Sequence, residues 1–195
     1  MELKNHKSAL AALATLGITA VAAGATAFVK IRGKRRERRQ QEEKGESENQ
    51  LSPEQLMVYN EAVSVFKSLN YRIYDLRRQR KDIQPLVARL AGGSEKPQLE
   101  TDNEDLQLLA DDIERFITSQ VPFINACLAC INQDGMTYVD CVRGPVGGVF
   151  DDKLDEEPTG ADIKNGTPIA YVLRLGYYFP DSTHNTQPVK AIVLE

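Results

Sequence analysis

The sequence is poor in the side chains from which disulfide frameworks and histidine-based sites are built. It contains three cysteines and two histidines in 195 residues. Three cysteines are too few for a disulfide-built scaffold, and an odd count leaves at least one thiol unpaired. His6 lies near the start of the chain, so imidazole chemistry in the body would depend on His184 alone.

Motifs of the large enzyme classes are also missing from the sequence. It has no Gly-x-x-x-x-Gly-Lys phosphate loop, Gly-x-Gly-x-x-Gly fingerprint, Gly-x-Ser-x-Gly elbow or His-Glu-x-x-His pair. We therefore expect a protein that works by binding, with no enzymatic activity and no cofactor.

The composition is that of a globular protein with an uneven distribution of charge. Hydrophobic residues make up 42% and charged residues 27%, which excludes wholesale disorder and collagen-like architectures. Residues 1–39 contain nine cations and two anions, so this stub carries +7 and residues 40–195 carry −11 of the whole-chain charge of −4. The acidic body makes nucleic acid an unlikely partner, because it would repel a phosphate backbone.

Residues 9–29 contain no charged side chain, and a helix of that length spans about 30 Å, the thickness of a bilayer core. They predict a single transmembrane helix over residues 8–29. A short N-terminal segment, residues 1–7, would then lie on the extracytoplasmic side of the membrane. The basic segment that follows predicts a body in the cytoplasm, and it is also a candidate surface for membrane lipid. Its cations are Lys30, Arg32, Lys34, Arg35, Arg36, Arg38 and Arg39.

Two alternatives to this anchor remain open at the level of sequence. Ala25-Thr26-Ala27 has the small-x-small form of an export-signal cleavage site, although the positive charge lies on the wrong side of the apolar run. An organelle-targeting segment or a buried helix is the other alternative. Ala20 and Gly24 form a small-x-x-x-small pair, which favours self-association of a helix in lipid.

After a basic juxtamembrane segment and polar linker, residues 30–51, the pattern changes to that of a long helical hairpin over residues 52–133. Ser52, Pro53 and Gln55 predict a helix start with a capping box. An apolar seam follows at spacings of three and four, and we expect it to form an oligomer interface. Its members are Leu56, Tyr59, Val63, Phe66, Asn70 and Ile73. Asn70 either fixes the register of a coiled coil or is hydrogen bonded locally.

The hairpin is expected to kink or break near residue 84, because Pro85 removes a helical hydrogen bond. The basic run 77–80 is interpreted as a solvated helical face, with a second basic patch as the alternative. Thr101 and Glu104 predict a second capping box, and the helix after it should continue through residue 132 with a kink at Pro122.

Residues 134–195 change to short β-type segments, and we expect a small, mostly antiparallel sheet packed on the second helix. Strands are predicted in 136–143, 146–150, 169–179 and 189–194, and the acidic residues 151–157 are predicted to form an exposed loop. The fold class is therefore α+β, with one transmembrane helix, a long antiparallel helical hairpin and a C-terminal sheet.

The cysteines form the one suggestive chemical cluster. Cys127 and Cys130 lie three residues apart, and with Cys141 and His184 they could complete a tetrahedral zinc site. A redox pair is a further alternative. Because the pair falls inside the apolar stripe, we favour cysteines that act as small buried hydrophobes, with no metal bound.

Together these features predict a membrane-anchored cytoplasmic interaction or scaffold protein that self-associates, as a homo-oligomer, and binds a protein partner that the sequence does not identify. The alternative from another class is a ligand-responsive sensor or effector whose C-terminal sheet binds a small molecule or peptide. A zinc- or thiol-dependent enzyme is the third and weakest interpretation.

Overall fold

The computed structural model describes residues 51–131, 135–144, 147–180 and 188–195. Five helices lie within these ranges: α1 (Pro53–Asp75), α2 (Arg80–Leu90), α3 (Glu104–Ser119), α4 (Val121–Ile131) and α5 (Tyr138–Cys141). Five strands lie within them as well: β1 (Val142–Arg143), β2 (Asp155–Glu156), β3 (Tyr171–Arg174), β4 (Gly176–Tyr177) and β5 (Ala191–Leu194).

The described helices correct the prediction of a single-pass membrane protein with a cytoplasmic body. No helix within the described ranges is both long and apolar enough to cross a bilayer. The longest of them, α1, carries charges along its length, among them Glu61, Lys67 and Arg72. The predicted span 8–29, with Ala20 and Gly24, and the basic segment 30–39 lie outside the described residues.

Helix α1 begins at Pro53, directly after Ser52, the N-cap residue that the sequence predicts. The Ser52 hydroxyl accepts a hydrogen bond from the Gln55 backbone N–H at 3.2 Å, and the Ser52 N–H donates to the Gln55 side chain at 2.9 Å. This reciprocal pair satisfies two N–H groups that a bare helix start leaves without partners.

The predicted long hairpin is interrupted by a break that lies earlier than Pro85. Helix α1 ends at Asp75, residues 76–79 form a turn, and α2 then continues through Pro85. The turn is closed by backbone bonds from Arg77 to Tyr74 and from Gln79 to Leu76. Pro85 is tolerated because the helical bond it removes would have ended on the carbonyl of Lys81, an exposed residue that water can solvate.

The second half of the predicted hairpin also differs in detail. Its cap is Asn103, whose side chain accepts from the N–H groups of Asp105 and Leu106, so the predicted Thr101 box does not form. The helix is divided at Gln120 into α3 and α4, and Pro122 lies in the first turn of α4, where its missing N–H costs little.

Helices α1 and α3 pack antiparallel through an aromatic cluster and an ion pair. The rings of Phe66 and Phe116 lie 6.3 Å apart, and further along α1 Arg72 pairs with Asp112 at 2.6 Å. Phe66 is fully buried and also contacts Tyr177 and Phe179, from the C-terminal region, at 5.2 and 5.0 Å. One core therefore joins helices and sheet.

The C-terminal strands form two small sheets, of mixed rather than mostly antiparallel pairing. Strands β1 and β4 pair antiparallel, while β5 lies between β2, its parallel neighbour, and β3, its antiparallel neighbour. The predicted acidic loop contributes β2. At Gly176 an added Cβ would lie within 3 Å of the backbone of Ala191 and Val189, so only glycine fits this close approach.

Two carboxamide side chains cover the edge of β3 that faces away from β5 and the residue that follows the strand, Leu175. Asn70 of α1 donates to the Leu175 carbonyl at 3.0 Å and accepts from the Leu175 N–H at 2.9 Å. Gln84 of α2 bonds both backbone groups of Val172 in the same way, each at 3.1 Å. The sheet therefore packs on α1 and α2, which corrects the prediction that it packs on the second helix of the hairpin.

Helices α2 and α3 are joined by an ion pair that is largely shielded from water. Arg89 donates to both carboxylate oxygens of Glu114, from Nε at 2.6 Å and from Nη2 at 3.0 Å. The two side chains are 13% and 19% exposed. The bond from Arg89 holds the pKa of Glu114 below its ordinary value, because it stabilises the charged carboxylate.

Replacement of Asn70 by leucine is expected to lower the free energy of unfolding by about 2–5 kcal/mol, because it leaves two buried backbone groups of Leu175 without partners. Chemical denaturation of the two proteins measures the difference. Asn60→Leu, at an exposed position of the same helix, is the matched control and should change stability by less than about 0.5 kcal/mol. Equal losses in the two variants would contradict the structural role of Asn70.

Replacement of Glu114 by glutamine is expected to change how stability depends on pH. A carboxyl whose pKa is lowered on folding stabilises the protein above its unfolded value, near 4.5, and this stabilisation is lost as the pH falls through the folded pKa. Glu114→Gln should therefore be less stable at pH 7 and lose less on acidification. Urea denaturation from pH 7 to pH 3 tests this, with the exposed Asp111→Asn of the same helix as control. A variant as acid-sensitive as the wild type would refute it.

Candidate functional site

A groove opens between the turn that joins α1 to α2 and the three-stranded sheet. Its volume is about 570 Å³, within the size range of small-molecule sites. The turn and its flanks form one wall, two strands form the floor, and the loop after β2 forms the other wall. The lining residues are Tyr74, Arg77, Arg78, Arg80, Pro158, Thr159, Leu173 and Leu194.

The break between α1 and α2 brings the cations of the basic run to one concave surface. In an uninterrupted helix, Arg77 and Arg80 would share one face, and Arg78 would point about 100° away from Arg77. The turn at residues 76–79 changes the direction of the chain, and all three side chains line the groove. Arg77, Arg78 and Arg80 are exposed, as a solvated face predicts, but they lie on the turn and at the start of α2 rather than on one continuous helix.

One of these arginines is held in position by its neighbour. The guanidinium of Arg77 lies over the ring of Tyr74, 4.6 Å from its centroid, and Nη1 donates to the Tyr74 carbonyl at 3.2 Å. The ring attracts the cation through its quadrupole. A guanidinium that is already held in position loses less conformational entropy when it binds an anion.

Arg78 and Arg80 differ from the arginines that hold the helices together. Arg72, Arg89 and Arg115 each pair with a carboxylate. Among the described residues, neither Arg78 nor Arg80 forms an ion pair. Their charges are therefore not neutralised by contact within this part of the chain.

The start of α2 adds to the positive character of the groove wall. Its first residue is Arg80, and the cap residue Gln79 makes no side-chain bond to the helix end. The N–H groups of a first helical turn carry a partial positive charge. A helix start whose cap residue makes no side-chain bond therefore lies beside the arginines, and its first turn also carries the carboxylate of Asp82.

The opposite wall is a loop stabilised by its own carboxylate. Glu157 accepts hydrogen bonds from the N–H of Thr159 at 2.8 Å, from the Thr159 hydroxyl at 2.5 Å and from the N–H of Ala161 at 2.9 Å. Because these bonds occupy the Glu157 carboxylate, the loop presents Pro158 and Thr159 to the groove in a fixed conformation.

The predicted oligomer seam is used inside the subunit. Tyr59, Val63, Phe66, Asn70 and Ile73 are all buried against this chain's own core, and Leu56 is partly buried against it. Asn70 contacts the strand, as described above, rather than a second copy of the helix. Self-association remains a prediction, but it would have to use other residues.

The cysteines divide into two buried thiols and one exposed thiol. Burial raises the pKa of Cys127 and of Cys141 to about 12, while Cys130 is exposed. No group of three or more Cys, His, Asp or Glu side chains within the described ranges is arranged to hold a metal ion. His184, the fourth predicted zinc ligand, lies outside the described residues.

Only part of the groove could be predicted from the sequence. The basic run 77–80 is visible as a pattern, whereas nothing in the pattern connects it to Pro158 and Thr159, about eighty residues later, or to the ends of β3 and β5. Comparison of the chain with protein-family models, with curated proteins and with solved structures finds no match.

Cysteine labelling of the native protein is expected to modify Cys130 rapidly and the two buried thiols only on unfolding. A thiol with a pKa of about 12 is almost wholly protonated at pH 8, and burial also excludes the reagent. The rate and stoichiometry of a maleimide reaction at pH 8 measure this. Cys130→Ser should abolish the rapid phase. Rapid modification of two or more cysteines in the native state would contradict the burial described here.

Proposed function

We propose that this protein is a binding protein whose groove between the α1–α2 turn and the three-stranded sheet holds an anionic ligand. The observation that carries the proposal is the convergence of Arg77, Arg78 and Arg80 on one concave surface. Arg78 and Arg80 form no ion pair among the described residues, so both are available to a ligand.

Arginine is suited to this role by its geometry. The guanidinium presents several N–H donors in a planar fork that matches two oxygens of a phosphate or carboxylate. The position of Arg77 against Tyr74 supports a preformed site, and the start of α2 favours an anion over a cation.

The surrounding charge supports a local site rather than a general affinity for anions. Residues 40–195 carry a net charge of −11, so the summed field of this part of the chain repels negative solutes. A concave cluster of cations within an acidic body attracts an anion only where it fits the groove. This argues for one small ligand, and it favours the ligand-binding alternative over a scaffold built from the apolar seam.

Replacement of two groove arginines is expected to weaken anion binding. With inorganic phosphate as the probe and ionic strength held constant with sodium chloride, Arg78→Gln/Arg80→Gln should raise the dissociation constant of the full chain at least about tenfold, equal to about 1.4 kcal/mol. Isothermal titration calorimetry measures this, and the phosphate dependence of the melting temperature checks it independently.

The control must account for the seven cations of residues 30–39, which also attract phosphate. Lys153→Gln/Lys164→Gln removes the same amount of charge from two exposed positions outside the groove lining. The difference between the two double variants isolates the contribution of the groove. If both variants bind phosphate equally well, the proposed function is wrong.

A further inference from the structure

We infer that the group bound by this groove is a phosphate monoester, a compact tetrahedral dianion, rather than a carboxylate or a sulfate ester. The inference rests on the proposed function and adds the chemical class of the ligand. It comes from the charge and the hydrogen-bond donors that the three groove arginines leave without partners.

The apolar floor of the groove offers a ligand very little contact area. Leu173 and Leu194, which form this floor, are only 3% and 7% exposed. Hydrophobic affinity grows with the apolar area removed from water, so an apolar body gains little by lying on these two side chains. Recognition therefore depends mainly on the polar groups that reach the surface of the groove.

The polar groups of the lining are mostly hydrogen-bond donors. Each guanidinium has five N–H donors. Within the described ranges, the side chains of Arg78 and Arg80 use none of them, and Arg77 uses only Nη1, for the Tyr74 carbonyl. No residue of the lining carries a carboxylate or an imidazole. The groove therefore suits a group made of acceptor oxygens.

The charge of the lining is more than one carboxylate can balance. Arg77, Arg78 and Arg80 carry one positive charge each, a sum of +3. Lys81 and Asp82, the next residues of α2, lie outside the lining and have opposite charges, so they leave this sum unchanged. A carboxylate or a sulfate ester has a single negative charge, whereas a phosphate monoester carries about −2 above pH 7. A phosphate monoester therefore balances more of the charge that the turn concentrates.

The shape of a phosphate group also lets several arginines bind it at once. Its three terminal oxygens are strong acceptors in a tetrahedral arrangement, and two of them can accept a bidentate pair from one guanidinium. The third oxygen remains available to a second arginine. A carboxylate has two oxygens in one plane, so a single guanidinium fork engages both of them. A cluster of three forks is therefore better matched to a phosphate monoester.

Three small probes that differ in charge and in shape test this class, each titrated calorimetrically into the full chain at pH 8 and constant ionic strength. Methyl phosphate is a dianion at this pH, since the second pKa of a phosphate monoester is about 6. Methyl sulfate has the same shape with one charge, and malonate has two charges on two planar carboxylates. Methyl phosphate should bind at least about tenfold more tightly than either of the other probes.

Two double variants connect this advantage to the groove, and both change exposed side chains, so the core is left intact. Arg78→Gln/Arg80→Gln should weaken methyl phosphate more than methyl sulfate, because the doubly charged probe loses more attraction to the removed cations. Arg78→Lys/Arg80→Lys keeps the charge but replaces each fork by a point charge, so it should reduce the advantage over malonate. Lys153→Gln/Lys164→Gln, outside the lining, is the control and should keep both advantages.

The outcomes separate the two claims. If methyl phosphate binds no more tightly than methyl sulfate or malonate while the double glutamine variant weakens all three probes, the ligand class is wrong and the anion-binding groove stands. If the advantage of methyl phosphate survives in full in the glutamine variant or in the lysine variant, the groove arginines do not select the phosphate group and the inference is overturned. If the glutamine variant affects no probe, the proposed function fails and the inference fails with it.

Discussion

The structure depends on how the free edge of β3 satisfies its peptide groups. Leu175 and Val172 are buried, so their N–H and C=O groups have no water to bond. Asn70 and Gln84 provide those bonds, and each uses both the oxygen and the nitrogen of its carboxamide. Because Asn70 lies before the turn at residues 76–79 and Gln84 after it, the two bonds fix that turn over the sheet. The Gln84 amide also bonds the Arg80 carbonyl at 2.9 Å, which ties the groove wall to the same arrangement.

Sequence reasoning was most reliable where the cause was local. The Ser52 capping box depends on neighbouring residues alone, and it was predicted. The break at residues 76–79 was predicted too late, because its cause is tertiary: the chain must turn there for both Asn70 and Gln84 to reach β3. Strand β2 was missed because Asp155–Glu156 has no apolar alternation, and its pairing depends on β5, about 35 residues later.

The candidate site was predictable only on one side. The basic run 77–80 shows that positive charge is concentrated there. The concave shape of the groove depends on the helix break and on a loop and strands from the C-terminal region. The seam was correctly recognised as a buried stripe through Phe66, yet its partner is the chain's own sheet and α3. Hydrophobic periodicity shows that a face is buried, and it does not show which surface covers it.

The hydrogen bonds that the Asn70 and Gln84 carboxamides make to the strand region also determine when the groove can form during folding. Asn70 and Leu175 are 105 residues apart, and Gln84 and Val172 are 88 apart, so both bonds close long loops and carry a large entropic cost. The contacts of α1 through α4 are more local and are favoured at an earlier stage. A partly folded chain with these helices in place has the arginines but neither the floor nor the loop wall. A ligand that binds the groove recognises the complete fold alone, so its binding would stabilise the native state relative to the unfolded chain.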